Sequence, residues 1–420
     1  MIKQFRAAAL FAALLVVAAC SSHTNKSIRS NSISQPGSSE VFGGDARIAF
    51  DGGSITARTA HGHAGPNRAF TPGTPVRVAS VSKLVTTLGV MRLVEAGTLD
   101  LDRDVSDYLG WRLRNPAFPD AAVTLRQLLS HTSGLIDAGD DYAVPLGRTL
   151  QGAIGPANWS SHAPGTWFHY TNYNFPVVAQ VMERVTGERF DRLMARLVLA
   201  PLELDACYNW TTCSDGAVAV AAVLTDAAGV PVKDDLHGVR PDCAGVNRLP
   251  DTICTLDTFR PGDNGAVFSP QGGLRISAVG LAKIGRLLLG NGGVDGVRLL
   301  SAASVATMRA PQWRWNGGNG DTEDGLYCAW GLGIHLLGSV SGCHDDLFGD
   351  GRPRFGHSGE AYHLRSGLWL DPERRRGVAF VVTAVADSPP KASGSAFTRV
   401  ENRVATGTSR HGRDTVPPRF

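Results

Sequence analysis

The sequence predicts an α/β (α+β) fold: an antiparallel β-sheet flanked by helices, with an inserted, mostly helical region. Three observations predict it. Strand-like runs occur near the start and again in the last third of the chain. Apolar residues at helical spacing fill much of the stretch between them. A content of 43% hydrophobic and 19% charged residues is that of an ordinary globular protein. Strands at both ends around a helical middle suggest a sheet assembled from both termini. With 420 residues, the chain suffices for one large domain or two interleaved ones, since single cores stop growing at roughly 250–300 residues.

The elements follow in order. Residues 46–50 and 54–60 are short runs separated by Asp51-Gly52-Gly53, a hairpin signal. A helix is expected over residues 81–96, with Leu84, Leu88, Met91 and Val94 on one face and Gly97 as its stop. Thr124 is suited to cap a helix carrying Leu128 and Leu129. Val177, Val181, Met182 and Val185 mark another helix, ended by Gly187, and Phe190, Leu193 and Leu197 mark the next. Residues 203–265 are rich in Gly, Cys and Asp with weak periodicity, and read as a looped insertion. Ser277 then caps a helix through Leu281, Ile284, Leu287 and Leu288, stopped by Gly290. Strands are expected at 327–337, 354–358, 364–370 and 377–385, with a connection over 371–376. A last helix is expected over 396–404.

The first residues do not read as part of the fold. Lys3 and Arg6 precede an apolar stretch, 7–17, that is too short for a usual membrane span. Val17-Ala18-Ala19-Cys20 resembles a bacterial lipobox, which implies cleavage before Cys20 and its acylation. Several acyl chains anchor stably where one does not. Ser21 next to Cys20 fits sorting to an outer membrane, if the host has one. The expected organisation is therefore a signal peptide over 1–19, a lipid-anchored flexible tether over 20–40 and a catalytic domain over 41–405. Within that domain the sheet region covers about 41–90 plus 265–405 and the helical region about 91–264, and 406–420 is a loose tail. The localisation expected is exported and membrane-anchored, on the periplasmic face. Net charge is +3, and near-neutrality argues against a nucleic-acid partner.

Six cysteines remain after Cys20, and six allow fifteen connectivities. Sequence neighbours suggest Cys207–Cys213, Cys243–Cys254 and Cys328–Cys343, each closing a short loop. A zinc site is the rival, but no CxxC pair is present, and an oxidising compartment favours disulfides.

Three constellations carry chemistry. Ser80-Val81-Ser82-Lys83 begins a helix and sets Ser80 and Lys83 one turn apart on one face. The helix N-terminus supplies positive potential and free N–H groups, and a desolvated ammonium of lowered pKa helps accept the serine proton. Read alone, Ser80 is equally a helix cap and Lys83 a solvated charge. Tyr170-Thr171-Asn172 precedes another helix: a phenol beside an ammonium becomes a phenolate or shuttles a proton, and an amide holds both a lysine and a substrate carbonyl. His357-Ser358-Gly359 ends a strand-like run; Gly359 would let a substrate backbone approach, and His357 would hydrogen-bond or carry charge near the scissile group. The N–H of Glu360 could join that of Ser80 as an oxyanion hole.

In that order and spacing, S-x-x-K, Y-x-N and H-x-G resemble the serine β-lactamase and penicillin-binding-protein superfamily. The branch most resembled is the class C-like one, which includes esterases and D-amino-acid-handling peptidases. Residues 78–83, 128–135, 170–175 and 272–274 are similar to the same branch, and the likeness covers about 45–405. It implies a β-lactamase/DD-peptidase-like fold and an acyl-enzyme on Ser80. Lys83 and Tyr170 would share the general-base work, Asn172 would position Lys83 and substrate, His357 and Gly359 would bind substrate, and Ser80 and Glu360 N–H groups would hold the oxyanion. His131 reads as structural. No metal or organic cofactor is implied. His-Ser-Gly stands where many relatives have Lys-Thr-Gly, and a mostly neutral His holds a substrate carboxylate less well. That shifts the expected substrate toward short esters or D-amino-acid cell-wall peptides and away from β-lactams. β-Lactam hydrolysis and a non-hydrolytic penicillin-binding or cell-wall sensor role are the alternatives. A standard α/β-hydrolase is excluded because no G-x-S-x-G elbow occurs.

Overall fold

The computed structural model describes residues 43–241 and 254–408. Cys20, the leader, the tether, Cys243 and residues 409–420 lie outside them.

Nine antiparallel strands form the main sheet. Three come from the start of the domain: β1 (Gly44–Asp51), β2 (Ile55–Gly65) and β3 (Arg68–Ala69). Six come from its end: β4 (Trp313–Arg314), β5 (Ala329–Trp330), β6 (His335–Leu337), β7 (Arg354–Ala361), β8 (Leu364–Asp371) and β9 (Arg376–Val382). The order is β4-β5-β6-β7-β8-β9-β1-β2-β3. The two ends of the chain meet at the β1–β9 pairing, where Ala46 lies opposite Val381 and Ile48 opposite Ala379. Asp51 makes the turn into β2, its side chain accepting from the Gly53 and Ser54 N–H groups.

Side chains of a strand alternate between faces, so the two faces acquire separate cores. Ala379 and Val381 of β9 and Leu368 and Leu370 of β8 join a core that includes Leu281, Ile284 and Leu288 of one helix, Ala278–Leu289. Val378, Phe380 and Val382 of β9 and Trp369 of β8 face the other way, onto Val404 and Ala405 of the helix Arg399–Thr406. This is a sheet covered by helices on both faces, the fold class predicted.

Local signals act as expected at most boundaries. Thr124 and Gln127 form a capping box on the helix Leu125–Leu129. Gly187 ends the helix Asn174–Thr186 in the left-handed region, and Ser277 caps the helix that starts at Ala278. Four expectations need correction. The first helix, α1 (Val81–Glu95), has no solvent face over most of its length: Val81 through Met91 are all buried. It lies between the sheet and the segment 190–199, so a single apolar stripe undercounts its contacts. The run 327–337 is two strands, because residues 331–334 turn, with Gly333 at φ +60°. The strand expected over 377–385 stops at Val382, just before Ala384 takes φ +57°. The last helix starts at Arg399, since Thr398 accepts from the Glu401 N–H and caps it there.

Candidate active site

A short strand pairing positions Ser80. Val76 and Arg77 pair with Ile276 and Arg275, and the Val78 N–H donates to Leu274 O at 3.1 Å. Ala79 then takes φ +45°, a conformation that costs a non-glycine residue about 1–2 kcal/mol. Tertiary bonds hold it: Ser82 Oγ donates to Ala79 O at 2.6 Å, and Ser366 Oγ to Val78 O at 2.8 Å. Ser80 follows as the N-cap residue of α1, but its side chain caps nothing, which leaves Oγ available.

One turn on, Lys83 is fully buried. Its Nζ donates to Ser80 Oγ at 2.9 Å, Asn172 Oδ1 at 2.8 Å and Gln271 O at 3.2 Å. Burial pushes the ammonium down to about 7, against a weaker upward pull from Asp137. The lysine is thus half neutral at physiological pH while it touches the serine oxygen.

Asn172 bridges Lys83 to Asp137, donating from Nδ2 to Asp137 Oδ2 at 3.0 Å. The same carboxylate accepts from Thr171 Oγ1, the Asn172 N–H and the Tyr173 N–H at 2.5–3.0 Å. It therefore fixes the whole 171–173 segment. No spacing in the sequence marks Asp137, which lies outside the three motifs; only the fold brings it here.

The Tyr170 phenol lies beside Ser80, which draws its pKa down against the larger effect of burial. Its ring is stacked between His131 at 4.4 Å and Tyr327 at 5.0 Å, with Lys83 Nζ 4.9 Å from the centroid. These neighbours desolvate the phenol and raise its pKa, so its resting form is neutral and not the phenolate. His131 is structural, as read: its Nδ1 accepts from the Thr171 N–H at 3.1 Å, and burial keeps it neutral.

His357 departs from expectation. It sits within β7, not at a strand end, and is only 2% exposed. Nδ1 lies 2.6 Å from Ser358 O, which makes it the donor, and Nε2 has no partner among the described residues. Burial and the nearby Lys83 charge push its pKa well below the usual value. The imidazole is a neutral group packed behind Tyr170 and Trp330, and is not among the residues that border the cleft.

Gly359 borders the cleft and also serves a contact that the sequence did not mark. A Cβ there would lie 2.4 Å from Val78 O, 2.4 Å from Ser366 Oγ and 3.2 Å from Ser80 N. Its missing side chain lets β7 close onto the segment that carries Ser80. Glu360 turns its carboxylate to Arg365, 2.6 Å away. Ser80, Tyr170, Asn172, Gly359 and Glu360 all border one cleft of about 1040 Å³.

Cys207–Cys213 and Cys328–Cys343 are disulfides, as paired from sequence. The third expected pair, Cys243–Cys254, involves a residue outside those described. Among the described residues no group of His, Cys, Asp and Glu could hold a metal ion.

Comparison with known proteins agrees with this fold. Penicillin-binding protein 4 of Amycolatopsis lactamdurans is 28% identical over 311 residues, 71% of this chain and 69% of that protein. The fold is similar to that of EstCE1, a hydrolase with promiscuous acyltransferase activity (TM-score 0.62, 22% identity, 88% of this chain and 94% of that one). It is also similar to a class C β-lactamase from Rhodobacter sphaeroides (TM-score 0.60, 18% identity, 88% and 93%). The family model for Beta-lactamase matches residues 30–401. This chain belongs to the β-lactamase family of serine hydrolases.

Proposed function

We propose that this protein hydrolyses ester or D-amino-acid peptide bonds through an acyl-enzyme on Ser80. The observation that carries the reading is the contact between a buried, half-neutral Lys83 and Ser80 Oγ at 2.9 Å. Neutral Lys83 accepts the Ser80 proton as Oγ attacks the substrate carbonyl. The N–H groups of Ser80 and Glu360 stabilise the oxyanion. Tyr170, a neutral phenol beside Ser80, relays the proton to the departing alkoxide or amine. Water then attacks the acyl-enzyme, Lys83 takes its proton, and the acid leaves with Ser80 restored. Asn172, held by Asp137, keeps Lys83 in register.

A neutral, inward-packed His357 supports esters and peptides over β-lactams, because it offers no cation to a β-lactam carboxylate. Hydrolysis of p-nitrophenyl butyrate beside a Ser80→Ala variant tests the reading. Turnover lost in the variant supports it; turnover retained by the variant overturns it. Penicillin acylation without turnover would instead mark a binding or sensor role. The sequence around Cys20 supports an exported lipoprotein facing the periplasm, with small-molecule or cell-wall peptide substrates. Release of a Cys20→Ser variant into the soluble fraction tests the anchor.

A further inference from the structure

A group of cations lies at and behind the part of the cleft wall that carries Arg77 and Tyr362. Arg77 precedes Ser80 by three residues, so the two Cα atoms are at most about 11 Å apart. The Arg77 side chain borders the cleft, yet the residue is only 4% exposed. Nη1 donates to Gly272 O at 3.0 Å, while Nε has no partner among the described residues. Lys233 arrives from the Cys-bearing region, at the end of the strand Pro231–Lys233. Arg77 Cζ and Lys233 Nζ lie 4.9 and 5.2 Å from the centroid of one ring, that of Tyr362. Tyr362 sits in the turn between β7 and β8 at φ +51°, is 40% exposed and borders the cleft.

A third cation lies beneath. Arg275 is 2% exposed and pairs with Asp234 at 2.8 Å, and the same Asp234 oxygen accepts from Trp210 Nε1 at 2.9 Å. Asp234 is the one carboxylate among the charges acting on Arg77, which otherwise feels Arg275 and the phenols of Tyr362 and Tyr142. Three cations, Arg77, Lys233 and Arg275, thus lie around Asp234. Burial and the neighbouring Arg275 push the Arg77 guanidinium down to about 10, and burial lowers Lys233 as well. Cations gathered this closely are stabilised by an arriving anion, and a guanidinium offers paired donors to a carboxylate.

We propose that Arg77 and Lys233, roofed by Tyr362, form a subsite for a carboxylate carried on the acyl part of the substrate. Arg77 and Ser80 lie on one short segment, so the group bound there belongs to the portion that stays attached to Ser80. A linker of about three methylenes between scissile carbonyl and carboxylate suits that span. The inference rests on Ser80 as the acyl acceptor and adds the substrate class.

The test compares kcat/KM for p-nitrophenyl hemiglutarate and p-nitrophenyl valerate, which differ in a terminal carboxylate against a methyl. The charged ester is expected to be preferred about tenfold, and Lys233→Met should bring the ratio close to one. Equal rates on both esters in the natural protein, or a ratio unmoved by Lys233→Met, overturn the proposal. Lys233 is only partly buried, so this variant tests the subsite even if Arg77→Met fails to fold. Calorimetry on Ser80→Ala with free glutarate against glutaramide gives a readout that needs no turnover. Tighter glutarate binding that Lys233→Met weakens supports the subsite; equal binding overturns it. If neither ester is hydrolysed, the Ser80 reading fails and the calorimetry alone decides.

Discussion

Acidifying the protein should switch it off through one group. Lys83 is buried, its ammonium is pushed down to about 7, and only the neutral amine can take the Ser80 proton. Half the molecules carry that amine at pH 7, about 9% at pH 6 and about 1% at pH 5. For p-nitrophenyl butyrate kcat/KM should therefore fall about fivefold from pH 7 to 6 and about fiftyfold from pH 7 to 5. Above pH 8 it should be flat. The other titratable rings at the site do not blur this limb: His131 and His357 are held neutral, and Tyr170 is held protonated. Removing the one charge that raises the Lys83 pKa should move the limb to lower pH, so Asp137→Asn is the matched variant. The shift also acts on stability. Between pH 7 and 10.5 the unfolded chain binds more protons at Lys83 than the folded one, so stability from this group rises with pH across that window. At pH 7 the buried amine costs about 4 kcal/mol relative to high pH. A rate profile flat down to pH 5, or a limb near the ordinary amine value, would refute the assignment of Lys83 as base.

Three further outcomes follow from single contacts. Tyr170→Phe removes the hydroxyl beside Ser80 but keeps the ring between His131 and Tyr327, so kcat should drop about 10²- to 10⁴-fold with little change in melting temperature. Gly359→Ala drives a methyl against Val78 O and Ser366 Oγ, so β7 must withdraw from Ser80. Turnover should fall at least about a hundredfold and the urea midpoint should drop, by about 1–3 kcal/mol of stability. Asp234→Ala leaves Arg275 buried without its partner and should cost about 3–5 kcal/mol, read from chemical denaturation. An unfolding midpoint unchanged in that variant would show that the cation cluster carries its charge without compensation.

The sequence by itself determined the local chemistry. Ser80 and Lys83 are one helical turn apart in any helix, so their meeting needed no tertiary information. Thr124, Gly187, Ser277 and Gly290 act within a few residues of themselves, and their boundaries were legible for that reason. The strands around His357 were legible as strand-like runs, and two disulfides from their short loops. What the tertiary structure decided is everything that depends on environment. Desolvation brings Lys83 to about 7 and keeps Tyr170 a phenol and His357 uncharged, and no spacing encodes it. Asp137, 35 residues before Asn172, reaches Lys83 through that amide only once the helices pack. Gly359 reads as room for substrate in sequence; in the fold it borders the cleft and also makes room for the Ser80 segment. Arg77, Lys233 and Tyr362 come from three separate stretches and gather around one ring only in the fold. Local spacing fixes which groups can share a turn; burial and long-range packing fix their charge and their company, because both depend on neighbours far away in the chain.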